Sequence, residues 1–170
     1  MSPTKRLVAI GVLLLSGFVL VRWYKSDERR INRNIGRIEK LVAKAPGEDN
    51  LTALGKARGL TELFAESFEF QAEQFNFATR DRQQLAAAVH QYRSRSQAIA
   101  VEIRERDLSV SAEQGRATSH LTVVFMTRFQ DISGTEAYRF QINWIEKEGD
   151  WLIDYVNLLE IIPDASSRPF

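Results

Sequence analysis

The 170-residue chain contains no cysteine and only two histidines, His90 and His120. It therefore has no disulfide framework, no thiolate nucleophile and no cysteine-ligated metal site. No HxxxH or HExxH spacing and no cluster of carboxylates accompanies the histidines, so we expect no metal and no cofactor. Neither GxxxxGK[ST] nor GxGxxG occurs, which leaves the chain without the common phosphate-binding loops.

Net charge is also nearly absent, at +1, but its distribution is uneven. Residues 1–45 carry ten lysines and arginines against three acids, whereas residues 46–170 carry 13 against 19. The globular part is thus mildly acidic, which argues against general nucleic-acid binding. The length leaves room for one compact domain of about 125 residues behind a basic N-terminal part.

One long hydrophobic run is present, the fifteen uncharged residues from Leu7 to Val21. With the aromatic residues that follow, it spans roughly 27 Å as a helix, close to the roughly 30 Å of a bilayer's hydrocarbon core. Basic and aromatic residues flank the run, and we place them at the membrane interface: Lys5, Arg6, Arg22, Trp23, Tyr24 and Lys25. Because no pair of small residues follows the run, an uncleaved transmembrane anchor over residues 1–25 is favoured over a secretory signal peptide.

The orientation of this anchor rests on opposing arguments. Two lysines or arginines precede the run and seven follow within about twenty residues, which by the positive-inside rule keeps the domain in the cytoplasm. A short basic N-terminus and the translocation of long domains with less regard to charge favour the opposite. We favour a single-pass protein of the inner (cytoplasmic) membrane with an extracytoplasmic, periplasmic domain.

Helical periodicity begins directly after the anchor. Ile31, Ile35 and Ile38 recur on one face, which predicts a basic amphipathic stalk helix over residues 26–45. Its charged faces are either solvated or attached electrostatically to anionic headgroups or an acidic partner. A second helix is expected after Asp49 or Asn50, and a third after Thr79 or Asp81. Apolar residues of the second helix form its predicted buried stripe: Leu51, Leu54, Leu60, Leu63 and Phe64.

From Ala98 to residue 156 apolar and polar residues alternate, which predicts long antiparallel strands joined by tight turns. A short strand near Phe68 follows the second helix, and the alternation of phenylalanines up to Phe77 suggests an exposed edge that pairs with another chain. The order predicts an α+β domain over residues 46–162, with helices covering one face of a strongly curved antiparallel sheet, and a tail over residues 163–170.

Two local sequences carry a resemblance to a known family. Residues 60–70 read LTELFAESFEF and residues 149–154 read GDWLID. They resemble the helix that ends in a short strand, and the start of the last strand, in the nuclear transport factor 2-like (NTF2-like) family. That family includes ketosteroid isomerase, scytalone dehydratase, SnoaL-like proteins and the periplasmic domains of VirB8-type secretion subunits. The resemblance, over roughly residues 50–162, implies a cone-shaped fold that hosts enzymes, ligand carriers and assembly subunits alike.

Polar and aromatic residues that could line such a cone are the candidates for a ligand pocket: Tyr92, His120, Phe125, Tyr138, Trp144 and Asp154. Weak catalytic candidates among them are His120, Asp154 and Tyr92, since a His–Asp pair brought together in the cavity could act as a general acid and base. The simpler interpretation of each histidine is a hydrogen-bonded polar residue at the edge of the core.

Without a compact catalytic constellation, the sequence favours a non-enzyme. We expect a membrane-tethered, non-catalytic interaction or assembly module of the bacterial envelope, whose cone binds protein partners or a second copy. The alternative is binding of a small apolar ligand, or isomerase- or dehydratase-like chemistry, inside the cone. A cone filled by its own Phe and Trp side chains favours the first, and a cavity of several hundred Å³ with one or two polar groups favours the second.

Overall fold

A computed structural model describes residues 27–129 and 132–162, which form three α-helices packed on one six-stranded sheet. The helices are α1 over residues 27–42, α2 (Asn50–Thr61) and α3 (Arg82–Arg95). The strands are β1 (Phe64–Ala72), β2 (Phe77–Thr79), β3 (Ala98–Ser111), β4 (Arg116–Phe129), β5 (Ile132–Lys147) and β6 (Asp150–Ile162). The predicted α+β class, with helices on a sheet, is confirmed.

The sheet has the strand order β2-β1-β6-β5-β4-β3. Every pairing is antiparallel except β1 with β6, which is parallel. The β5–β6 hairpin turns through Glu148 and Gly149, and both residues have positive φ. A two-residue turn needs this conformation to match the right-handed twist of the two strands. This turn chemistry fixes the register of the central strands.

Besides a register shift between β1 and β6, three register shifts interrupt the antiparallel pairings of the long strands. One lies between Ile103 and Glu105 of β3, and two lie in the β5–β6 pairing, at Arg139/Phe140 and Asn143/Trp144. Because a bulge bends its strand and increases the local twist, these shifts curl the sheet around the helices. We call the face toward the helices the inner face, and the opposite one the outer face.

One end of the cone, which we call the closed end, is filled by aromatic side chains. Trp144 is completely buried, and its indole Nε1 donates a hydrogen bond of 2.9 Å to the Ser119 hydroxyl. Trp151 is also buried and donates to the Asp27 carboxylate at 3.2 Å, while Asn34 donates to the Trp151 carbonyl at 2.9 Å. The described part of the chain therefore begins at the closed end, with Asp27 beside Trp151.

The helix predicted as a stalk is part of the domain. Ile31 and Ile35 of α1 are 0% exposed and belong to the same hydrophobic core as Leu121 and Trp144. The apolar stripe that the sequence shows is buried against the sheet, so the separate stalk over residues 26–45 is replaced by a first domain helix. Its outward face carries Arg33, Arg37 and Lys40, all exposed.

A buried ion cluster fastens the end of α1 to α3. Arg93, with 1% of its side chain exposed, donates from Nη1 to the carbonyls of Leu41, Val42 and Ala43 and pairs through Nη2 with the Glu48 carboxylate. Lys56 donates to the other Glu48 oxygen at 2.6 Å. Burial raises the pKa of Glu48, but the hydrogen bonds and charges of Lys56 and Arg93 outweigh it and hold that pKa below its ordinary value.

Both predicted helix starts are confirmed in detail. The Asp49 carboxylate accepts from the Thr52 N–H at 2.9 Å, and the Asp81 carboxylate accepts from the Gln83 N–H at 2.6 Å.

The predicted buried stripe of α2 is only partly right. Leu51 and Leu54 are 84% and 57% exposed, and the buried positions are Ala53, Ala57 and Leu60. α2 lies directly beside α3, and the small alanine side chains on its buried face allow this close approach.

The expected exposed edge near Phe68 and Phe70 is only partly right. β1 pairs with β6 on one side, but β2 covers its other side only from Phe70 to Ala72. Within the described residues, the part of β1 around Phe68 has no strand partner on that second side. The edges of the sheet are β2 and β3.

No helix within residues 27–129 and 132–162 is long and apolar enough to cross a membrane. The predicted anchor over residues 1–25 and the predicted tail over residues 163–170 lie outside the described residues.

Candidate functional site at the open end of the cone

The strand register gathers several strand ends at the end of the cone opposite Trp144. Ile99, near the start of β3, pairs with Thr127 near the end of β4. Tyr138 of β5 pairs with Ile161 near the end of β6. We call this region the open end.

Aromatic rings cover the inner face of the open end. The ring of Tyr138 lies 5.5 Å from that of Phe125 and 6.2 Å from that of Phe140, measured between centroids. Phe75, from the turn between β1 and β2, lies 6.2 Å from Tyr138 on another side. Tyr138 is therefore the centre of an aromatic group built from three chain segments.

A carboxylate sits beside this group. Glu136 pairs with Phe125 across β4 and β5 and lies two residues before Tyr138, so all three share the inner face. The Tyr138 hydroxyl donates to Glu136 Oε2 at 2.5 Å. Burial, this hydrogen bond and the negative charge of Glu136 raise the pKa of Tyr138. The phenol therefore stays protonated at neutral pH and remains a donor.

Tyr92 of α3 closes the group from the helix side. Its hydroxyl hydrogen-bonds with the Thr127 side chain, which lowers its pKa, but burial and the charge of Glu136 together raise that pKa. Besides burial, Glu136 thus raises the pKa of both phenols, Tyr92 and Tyr138.

Large apolar side chains at the open end reach solvent. Phe75 is 55% exposed and Ile132 is 73% exposed. Partly exposed neighbours complete what we call the rim: Tyr92, Leu159 and Ile161. Large apolar side chains exposed at one end of a domain are typical of binding surfaces.

The structure brings together three of the six predicted pocket residues, Tyr92, Phe125 and Tyr138. Trp144 lies at the closed end, where it fills the cone. His120 lies exposed on β4, opposite Asp107 on one side and Gln141 on the other.

The weak catalytic pair is not assembled. Asp154 lies in a β6 irregularity and pairs with Arg116 at 3.5 Å. The β4 residue that reaches Asp154 is thus Arg116, whereas His120 lies opposite Asp107 and Gln141. Sequence reasoning could not place these two side chains relative to each other, because the register shifts decide which face each one occupies.

Glu136, Thr127 and Phe75 were not among the predicted site residues. A signal for Glu136 was present, because the alternation of β5 from Tyr138 to Trp144 extends one step further back to residue 136. Phe75 offered no signal, since only the turn that Asn76 closes at φ 50° brings it to the open end.

Two cavities are formed on the surface outside the cone. One, of about 530 Å³, lies between α1 and β3 and is bordered by Arg33, Arg37, Lys40 and Val101. The other, of about 390 Å³, includes His120 and lies over the β3 bulge. Within the described ranges no group of three histidine, aspartate or glutamate residues could hold a metal ion.

Comparisons with known proteins match the fold and not the sequence. No family model and no curated protein matches the chain. An NTF2-like protein with a cystatin-like fold from Novosphingobium aromaticivorans is 17% identical with a TM-score of 0.69, over 91% of this chain and 94% of that one. An uncharacterised protein with a cystatin-like fold from Caulobacter vibrioides is 17% identical with a TM-score of 0.60, over 82% and 92%.

A hexachlorocyclohexane dehydrochlorinase is also similar in structure. It is 13% identical with a TM-score of 0.64, over 86% of this chain and 94% of that one. Similarity at this level of identity concerns the backbone, and the chain therefore has the NTF2-like fold that its sequence resembles.

Proposed function

We propose that this chain is a non-catalytic interaction module that binds a protein partner, or a second copy, through the open end of its cone. The observation that carries this is the position of the rim. Phe75, Ile132 and Ile161 are exposed at one end, while Trp144 and Trp151 fill the other. Exposed aromatic and aliphatic groups at the centre of a contact are the usual anchors of protein interfaces.

The apolar run in the sequence supports a membrane tether for this module. Leu7 to Val21 precedes α1, and α1 starts beside Trp151 at the closed end. A tether in that segment would hold the closed end toward the bilayer and leave the rim pointing away from it, free for a partner of the cell envelope.

Site-specific photo-crosslinking in cells that make the full chain tests the proposal. A benzophenone amino acid at position 132 or 161 should give the same crosslinked product, and the same label at position 113, in the turn at the closed end, should not. A product of twice the chain's mass identifies a second copy, and another mass identifies a different protein. Product formed from position 113 alone, or from none of the three, would contradict the proposal.

A second candidate is binding or turnover of a small apolar molecule at the open end. The hydrogen-bonded Glu136 and Tyr138 among aromatic rings favour it, because ligand sites combine apolar walls with a few converging polar groups. One structurally similar protein is a dehydrochlorinase, which adds precedent for chemistry on this fold. Native mass spectrometry of the purified chain separates the two candidates: a retained small molecule favours the second, and a dimer mass favours the first.

A further inference from the structure

Glu136 is a carboxylate with hydrogen-bonding capacity to spare. A carboxylate has about four lone-pair sites, and the Tyr138 hydroxyl occupies one of them on Oε2. Glu136 is exposed, and none of the ion pairs in residues 27–129 and 132–162 includes it. Most of its acceptor sites therefore face the open end without a cationic partner from the described chain.

The surroundings of this carboxylate favour a cation of one particular kind. Tyr138 and Phe125 lie beside it, and Phe75 packs against Tyr138. The negative face of an aromatic ring attracts a cation. A planar guanidinium can stack on a ring while its N–H groups point to a carboxylate, which an ammonium cannot do in the same way. An anion or a hydrogen-bond acceptor is disfavoured, because Glu136 would repel it and offers it no donor.

Tyr138 prepares the carboxylate for this role. Its hydroxyl donates to Glu136 Oε2, and no hydrogen bond to Oε1 is formed within the described residues. The Tyr92 side chain hydrogen-bonds with that of Thr127, and the residue is 38% exposed. A group prepared in this way loses little conformational freedom on binding.

From this geometry we infer that Glu136 and the rings of Phe75, Tyr92, Phe125 and Tyr138 form a binding site for the guanidinium group of an arginine side chain presented by the partner. This inference rests on the proposed function, since it names the chemistry that the open end reads on the partner. It adds a charge requirement to a surface that is otherwise apolar, and so it explains how the rim would reject partners that are merely hydrophobic.

The test uses the full chain in nonionic detergent micelles and two small probes. The probes are N-acetyl-arginine amide and N-acetyl-citrulline amide, which have the same shape but differ in charge. Binding is followed by NMR shifts of labelled tyrosine and phenylalanine rings. We expect the arginine probe to bind about tenfold more tightly than the citrulline probe, as a carboxylate with aromatic faces would give.

Variants assign the effect to the site. Glu136→Gln keeps the side-chain shape and should remove the preference for arginine. Glu113→Gln, the matched loss of one exposed carboxylate at the closed end, should leave it unchanged. Equal binding of the two probes, or an unchanged preference in Glu136→Gln, overturns the inference. Because Glu136 is exposed, its substitution leaves the fold intact, and an unchanged NMR spectrum outside the open end verifies this.

The two proposals fail in different ways. If crosslinking from positions 132 and 161 persists while the probes bind equally, the interaction module stands and the arginine site is lost. If the arginine probe is preferred but no crosslinks form, the site stands and the proposed partner binding is lost.

Discussion

Replacement of Arg93 by methionine tests the buried ion cluster that joins α1 to α3. The guanidinium is almost completely buried, donates to three consecutive carbonyls and pairs with Glu48. Methionine retains much of the length but none of the donors. Glu48 then keeps only Lys56 as a cationic partner, and the last carbonyls of α1 lose theirs.

Breaking a buried pair from one side costs about 3–5 kcal/mol, because a desolvated partner is left uncompensated. Domains of this size have a total stability of about 5–15 kcal/mol, so such a loss is a large fraction of the total. The residual Lys56–Glu48 pair places our expectation for Arg93→Met at the lower end, about 3 kcal/mol.

Urea unfolding of the full chain in nonionic micelles measures this loss. Tryptophan fluorescence is a suitable signal, since Trp144 and Trp151 are buried in the core. The control is Arg80→Met, which removes an exposed pair with Glu69 and should leave the midpoint nearly unchanged, because surface pairs contribute little. If Arg93→Met unfolds at the same urea concentration as Arg80→Met, the cluster does not hold α1 in place and the reasoning is refuted.

Further predictions concern acid, helix capping, the core and the tether. Because the pKa of Glu48 is lowered from its ordinary value of 4.5 in the folded protein, the ionised carboxylate stabilises the fold above pH 4.5, and this stabilisation is lost as the pH falls through the lower folded pKa. Glu48→Gln should therefore make the free energy of unfolding depend less on pH in the acid range. Asp81→Ala removes the α3 cap and should cost about 1 kcal/mol in the same urea assay, an outcome that an unchanged midpoint would exclude. Trp144→Phe leaves the Ser119 hydroxyl without its donor and should cost about 2 kcal/mol by thermal unfolding; no loss would show that the hydrogen bond contributes nothing. Alkaline phosphatase fused after Phe170 should be active in cells, whereas activity of a cytoplasmic reporter alone would place the domain inside.

The sequence predicted the strands well because a strand with alternating apolar and polar residues can bury only its apolar side. Tyr138, Phe140, Ile142 and Trp144 all lie on the inner face as the pattern requires. The helix starts were equally predictable, because Asp49 and Asp81 accept hydrogen bonds from backbone N–H groups of their own helices and need no partner from elsewhere.

The buried faces of α2 and α3 could not be predicted from the sequence, because contacts with distant residues decide them. Leu51 looks more like a core residue than Ala53, yet the close approach of α3 selects the smaller side chain. Arg93 reads as a helix-ending surface residue, and only the arrival of Glu48 and the end of α1 makes it a buried one. The site followed the same division: the aromatic residues were named, but the Glu136 carboxylate at its centre was not.

The place of β6 has a consequence for how the domain is made. β6 is the last strand in sequence, but it lies between β1 and β5 in the sheet, and Trp151 at its start holds Asp27 and Asn34 of the first helix. Nothing emerging earlier from the ribosome can substitute for these contacts. In the nascent chain, the contacts of α1 and β1 with β6 therefore form only after β6 has left the ribosome. A chain that stops at Gly149 would have 12 of the 15 residues of the hydrophobic core but would lack the strand that joins β1 to β5. Truncations that remove β6 should therefore yield a substrate for chaperones and proteases and not a smaller domain.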